Sequence, residues 1–329
     1  MARVFASGAR PTTPWQARHA DSEYGVTAEP SWREVDWPAH LRKAEIHGSM
    51  VNYVDIGEGD AEPIVFVHGL GGQWQNWLEN IPRAAQERRV IALDLPGFGL
   101  SEMPRAEISI SNYARCVEAL CQHLDLGPAV VVGNSMGGFI SSEVAIRYPE
   151  RVERLVLVSA AGISSANVYR APALLTGRIA AVIVAYTAAR QRQIARRPGT
   201  RHGALLLVAR HPGRLAADLA WEGLMKGAGK PGFQAALRAN LVYDFRDRLQ
   251  EIDAPTLIVW GENDSVISVH DANEYERLIS DSRKVVMKDT GHVPMAERPR
   301  AFNDLLMEFV AEKGPAEDKE PVEGESQAA

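Results

Sequence analysis

The sequence predicts an α/β fold: a mostly parallel eight-stranded sheet with helices on both faces. Two patterns carry that expectation. Short apolar runs such as PIVFV (63–67) and LVLV (155–158) are continuous rather than alternating, as strands buried on both faces require. Segments of helical periodicity separate these runs, so strand and helix alternate along the chain.

Taken in order, residues 44–56 read as a hairpin, 63–67 as a strand, 73–86 as a helix and 90–93 as a strand. A helix over 109–124, a strand over 129–132, a helix over 136–148 and a strand over 155–158 follow. The alternation resumes with a strand at 256–260, a helix near 270–279, a strand at 284–287 and a last helix at 299–311. Between the two blocks, 162–253 is helical in pattern without a strand signal, and it reads as an all-helical cap inserted after the sixth strand. Such an insertion would lie over the strand ends where ligands of this architecture bind. Residues 41–161 and 254–312 then form the core. Residues 1–40 are an irregular arm packed through Trp32 and Trp37, and 313–329 an acidic tail without aromatics, expected to be disordered.

Charge and cysteine content narrow the function classes. A net charge of -6 argues against a nucleic-acid partner. The charge is uneven: 165–232 holds eleven Lys or Arg against Asp218 and Glu222, so this segment is +9 and the remainder -15. Arginines between apolar stretches such as 179–189 read as amphipathic helices, whose basic face either is simply solvated or meets an anionic lipid surface; the solvated face is the preferred reading. Cys116 and Cys121, five apart on a helix, do not make a disulfide framework. The first thirty residues lack the apolar core of a signal peptide, and the longest apolar run is too short to span a bilayer. A cytoplasmic protein is the expectation, and no residue spacing suggests a metal or cofactor site.

The chemistry concentrates in a few turns. In VVVGNSMGGF, Gly133, Ser135 and Gly137 form G-x-S-x-G between a strand and a helix, the pattern of a nucleophile elbow. The serine there stands exposed on a tight turn, and the helix that begins at Met136 directs its amides and dipole at developing negative charge. Serine needs a base, and the base needs an orienting carboxylate. Asp264 in WGENDSVIS and His292 in DTGHVPMAERP each follow a strand, in the order Ser, Asp, His. Glu262 is the rival of Asp264 and His68 that of His292; His68 precedes Ser135, however, and stands in HGLGG (68–72). That loop, with Gly69 beside His68, is suited to turn a backbone amide inward, which makes the N–H groups of Leu70 and Met136 the candidate oxyanion donors. Asp94 in DLPGFGLS reads as fixing a structural turn.

Together HGLGG, DLPGFGLS, GNSMGG, WGENDSVIS and DTGHVPMAERP resemble, in sequence order, the motifs of the α/β-hydrolase fold superfamily, over about residues 44–312 apart from the cap. The resemblance implies a serine hydrolase, and Ser135 sets the chain apart from the aspartate-nucleophile branches. GNSMGG is also similar to the meta-cleavage-product hydrolases, which cleave carbon–carbon bonds; those enzymes usually carry tryptophan after the histidine, where this chain has Val293. The expectation is therefore an esterase or monoacylglycerol-lipase-like enzyme acting on a hydrophobic ester, a lipid among the candidates. A carbon–carbon hydrolase and a non-catalytic ligand receptor are the alternatives.

Overall fold

The computed structural model describes residues 5–6, 20–164, 192–227 and 229–312. Among these described residues nine strands form one sheet: β1 (Phe5–Ala6), β2 (Leu41–Ile46), β3 (Ser49–Ile56), β4 (Ile64–Val67), β5 (Val90–Leu93), β6 (Ala129–Asn134), β7 (Val152–Val158), β8 (Thr256–Gly261) and β9 (Ser282–Met287). Their spatial order is β1-β9-β8-β7-β6-β4-β5-β3-β2. The run from β5 through β4, β6, β7 and β8 to β9 is parallel, while β2, β3 and the two-residue β1 pair antiparallel at the edges. β1 is the one departure from the eight strands expected: a backbone edge contact in the arm, too short to leave a pattern in sequence.

Among the described residues, the helices of eight or more residues are α1 (Ile110–His123), α2 (Met136–Arg147), α3 (Pro198–Leu205), α4 (Phe233–Val242), α5 (His270–Leu278) and α6 (Pro299–Ala311). Ser109 starts α1 by accepting a hydrogen bond from the Asn112 amide at 3.1 Å, an N-cap of the usual kind. The helix expected over 73–86 is instead a 3-10 turn (Trp74–Trp77) and a short helix (Ile81–Ala84), split where Pro82 enters at the first turn.

Both faces of the sheet are buried, as continuous apolar strands demand. Along β4 the pleat sends Val65 and Val67 into the layer under α1, α2 and α5, and Ile64 and Phe66 into the layer with Trp77, α6, Tyr24 and Trp32. The described parts of the 162–253 insertion contain helices and turns and no strand; 165–191, including the apolar run 179–189, lies outside the described residues, as does the tail 313–329. Trp32 is buried and Trp37 packs against Trp74 with ring centroids 4.9 Å apart, so the arm is tied down where its tryptophans stand.

What positions the site is strand order. After β5 the chain crosses back to place β6 on the other side of β4, so β4 and β6 are neighbours with Val67 opposite Gly133. Loops leaving neighbouring strand ends in opposite directions open a crevice at such a switch point. HGLGG leaves β4 there, and Ser135 leaves β6.

Candidate active site

Ser135 has φ 56° and ψ -120°, a backbone conformation that costs of order 1–3 kcal/mol for a residue with a side chain. The turn is held from all sides. Ser135 donates its amide to the Val158 carbonyl at 2.9 Å, and its own carbonyl accepts from Phe139 at 3.2 Å and Ala161 at 3.0 Å. The glycines around it are demanded by close approach. A Cβ on Gly133 would lie 2.3 Å from the Gly137 oxygen, and one on Gly137 would lie 2.2 Å from the Val67 oxygen. Gly138 meets Ala160 in the same way, at 2.5 Å. Ser135 itself is half-buried, at the first turn of α2.

His292 and Asp264 come together from different loops. His292 Nδ1 donates to Asp264 Oδ2 at 2.8 Å, and the other carboxylate oxygen accepts the amides of Val266 (2.8 Å) and Ile267 (2.9 Å). Both carboxylate oxygens are thereby fixed, and Nε2 is left as the unprotonated nitrogen of the neutral ring. The Asn134 side-chain amide donates to the carbonyls of Val158 (3.0 Å) and His292 (3.3 Å), tying the residue before the candidate nucleophile to the candidate base. Glu262, the rival carboxylate, instead accepts the Asp289 amide at 3.1 Å.

HGLGG makes a tight turn closed by the Gly72 amide donating to the Gly69 carbonyl at 3.0 Å, with Gly71 at φ 73° in the third position. A Cβ on Gly69 would sit 3.1 Å from Ser135 Cβ, so this turn passes directly beside the elbow. Leu70 is a corner residue of that turn, and the Met136 amide belongs to the first turn of α2, whose N–H groups lack intrahelical acceptors. His68 lies beneath, fully buried. Its Nε2 accepts the Leu95 amide at 3.0 Å, so its Nδ1 carries the proton and donates to the Gly69 carbonyl at 2.7 Å. Burial lowers its pKa to about 4, against the opposing effect of the Gly69 carbonyl. A neutral imidazole with both nitrogens engaged is a brace between two loops. Asp94 acts similarly, accepting from the Trp74 amide (2.8 Å), the Leu100 amide (2.8 Å) and the Asn52 side chain (2.9 Å). Burial raises its pKa.

The sequence reading passed over Asn134 and Glu297. Glu297, fully buried, accepts from the amides of Gly291 (2.9 Å) and Val293 (3.2 Å) on either side of His292, and from the Arg210 amide at 2.7 Å. Desolvation raises its pKa. The one available signal was a glutamate inside a run that is otherwise apolar, VPMAE (293–297), at the start of a buried helix. The insertion also touches this loop directly, with Val208 accepting the His292 amide at 2.8 Å. Its basic residues are not all solvated, contrary to the simple surface reading. The Arg201 guanidinium is buried and donates to the carbonyls of Pro212, Gly213 and Ala195, and Arg210 pairs with Asp289 at 3.0 Å. Among the described residues no group of three or more His, Cys, Asp or Glu is placed to hold a metal ion, and no helix is long and apolar enough to cross a membrane.

Comparison with known proteins identifies the family and fold. Residues 62–299 match a family described as the alpha/beta hydrolase fold. The chain is 30% identical over 279 residues to a 2-hydroxy-6-oxo-2,4-heptadienoate hydrolase of Pseudomonas putida, covering 80% of this chain and 94% of that one. It is 31% identical over 278 residues to the dihydrolipoyllysine-residue acetyltransferase component of an acetoin cleaving system from Pseudomonas putida, covering 82% and 69%. Among solved structures, a membrane phospholipase A described as a bacterial virulence factor superposes with a TM-score of 0.64 at 26% identity, covering 83% of this chain and 86% of that one.

Proposed function

This chain belongs to the α/β-hydrolase fold family, and on that premise we propose that it is a serine hydrolase cleaving carboxylic esters with a hydrophobic acyl chain. The observations that support the reading are a strained serine at a helix N-terminus, a glycine turn packed against that serine, and an imidazole that is aligned by a fully engaged aspartate and whose loop is tied to Asn134, the residue before the serine. That set of groups suits acyl transfer.

In the proposed mechanism Ser135 Oγ attacks the ester carbonyl while His292 Nε2 takes its proton. Asp264 holds Nδ1–H, fixes the tautomer and stabilises the imidazolium that forms. The amides of Leu70 and Met136 receive the oxyanion, and such donors are typically worth about 3–4 kcal/mol of barrier each. His292 then protonates the departing alcohol, leaving an acyl group on Ser135. Water repeats the cycle and releases the acid. The insertion between β7 and β8 serves as a cap over the acyl site, and its exposed basic residues offer contact with anionic lipid.

A carbon–carbon hydrolase is the second reading, favoured by the kinship to the heptadienoate hydrolase. Val293 directly after His292, where the meta-cleavage-product hydrolases usually carry tryptophan, favours the ester. Hydrolysis of a p-nitrophenyl ester series from acetate to palmitate, beside a vinylogous diketone, separates the readings. Serine-dependent turnover that rises with chain length is expected; turnover of the diketone alone would transfer the protein to the second reading. Silence on both would point to a ligand receptor.

A further inference from the structure

The histidine loop is held by a part of the chain that lies far away in sequence. Tyr24, in the N-terminal arm, is buried, and its hydroxyl donates to Glu297 Oε2 at 2.5 Å while accepting the His211 amide at 2.8 Å. One phenol oxygen therefore joins the arm, the insertion and the carboxylate that grips the amides flanking His292. The arm repeats the connection around this point. Gly25 donates its amide to the Glu297 carbonyl at 2.7 Å, and Asp21 pairs with Arg298 through two hydrogen bonds of 3.0 and 2.9 Å. Arg298 in turn donates to Thr290 Oγ1 at 2.8 Å, two residues before His292. The Tyr24 ring meets the His211 ring edge-on at 4.9 Å, and the His211 imidazole pairs with Asp289 at 2.7 Å. On its other side the loop packs against the insertion, where a Cβ on Gly291 would lie 2.8 Å from the Arg210 amide nitrogen.

We propose that Tyr24 is a positioning residue for His292, and that arm residues 21–25 are a working part of the active site, setting the histidine loop and the insertion in register. This rests on the hydrolase reading for its effect on turnover, but the positioning itself is readable without any substrate. A flexible loop would place Nε2 poorly over Ser135, and misplacement of about 1 Å can cost on the order of 100-fold in rate. Four donors converge on the Glu297 carboxylate, and among them the tyrosine hydroxyl is the one supplied by the arm.

The test uses the full-length protein with Tyr24→Phe and, in case that change disturbs folding, Asp21→Asn, which loosens the same loop from its half-exposed end. Amide hydrogen exchange is followed by mass spectrometry, and the proton on His292 Nδ1 by its downfield resonance. In Tyr24→Phe, exchange at 288–293 and 208–211 should rise together by about 10-fold or more, with 129–147 unchanged and the downfield resonance broadened or shifted. Asp21→Asn should do the same more weakly. On the best ester, kcat should fall about 10-fold in Tyr24→Phe with KM within about twofold, as expected when transition-state alignment rather than binding is lost. Exchange and resonance like those of the wild type would overturn the proposal, as would exchange raised uniformly over the whole chain. If the wild-type protein hydrolyses no ester, the hydrolase reading fails while the exchange and resonance still decide the role of Tyr24.

Discussion

The two halves of the candidate site are built differently. Ser135 and the turn beside it are held by contacts among strand ends of the central sheet: Gly133 against Gly137, Gly137 against Val67, Gly69 against Ser135. His292 is held by segments that meet only in the folded chain, namely Val208 and Arg210 from the insertion, Tyr24 from the arm and Glu297 from the helix beyond. The nucleophile side is thus a property of the sheet, whereas the base side is a junction. A junction can be loosened without unfolding the sheet, and the differences that follow from this are measurable.

The largest effect should come where the junction delivers its chemistry. Asp264→Asn keeps the shape of the side chain but no longer fixes the histidine tautomer or stabilises the imidazolium, and kcat should fall by about 10³–10⁴-fold. Steady-state kinetics on the best ester, with the thermal midpoint as a control for folding, check this; a loss below tenfold would leave Asp264 without the orienting role.

The contrast between the halves is sharpened by two glycine replacements. Gly137→Ala forces a methyl against the carbonyl oxygens of Val67 and His68, backbone that the sheet cannot move, and should cost about 3 kcal/mol in urea unfolding. Gly291→Ala meets the Arg210 amide across the boundary with the insertion, which can yield, so about 1 kcal/mol is expected. Equal costs would erase the distinction between sheet and junction.

His68 gives the nucleophile side a pH signature. Its pKa is about 4 in the folded chain, below the ordinary value near 6.5, so as pH falls the unfolded chain takes up the proton first. The neutral-histidine contribution is intact above about 6.5 and is lost progressively down to about 4, by about 3 kcal/mol in all. Unfolding free energies of the wild type and His68→Gln across that window should diverge, the variant declining less; parallel curves would contradict the buried, neutral brace.

The smallest effect is expected at the outer end of the arm. Arg33 pairs with Asp218 of the insertion through two hydrogen bonds, 2.6 and 2.7 Å, but both side chains are about a third or more exposed. Arg33→Ala should therefore cost less than about 1 kcal/mol and have its effect reduced further by salt. A larger loss in thermal unfolding would mean that the arm is anchored at its exposed end rather than at Tyr24.

The same division explains what could be read from sequence. The strands, the order of their motifs, Ser135 and its glycines were legible because each is local: a β-branched run, a tight turn and a helix start lie within a dozen residues. Asp264 and His292 were legible because each closes a strand, and they meet in a hydrogen bond. His68 was read as part of the HGLGG loop, and its bracing role between Gly69 and Leu95 needed coordinates to appear. Glu297 and Tyr24 were hidden because their partners lie far off in sequence, and a buried carboxylate reveals its use only through the donors gathered round it. The two short helical pieces within 74–84 deceived for the opposite reason, since periodicity suggested continuity and Pro82 interrupted it. In the basic insertion Arg192, Arg196, Arg197, Arg214 and Lys226 are exposed, as composition suggested, but only coordinates reveal Arg201 and Arg210 as buried structural pins.

The central claim is that Ser135 is the nucleophile of an acyl-transfer site. Its most direct test is mass spectrometry of the intact protein after exposure to a fluorophosphonate carrying a long alkyl chain, followed by peptide mapping. One adduct on Ser135, absent in Ser135→Ala and strongly slowed in His292→Ala, is the predicted result. Modification elsewhere, or no modification of a folded protein, would contradict the account.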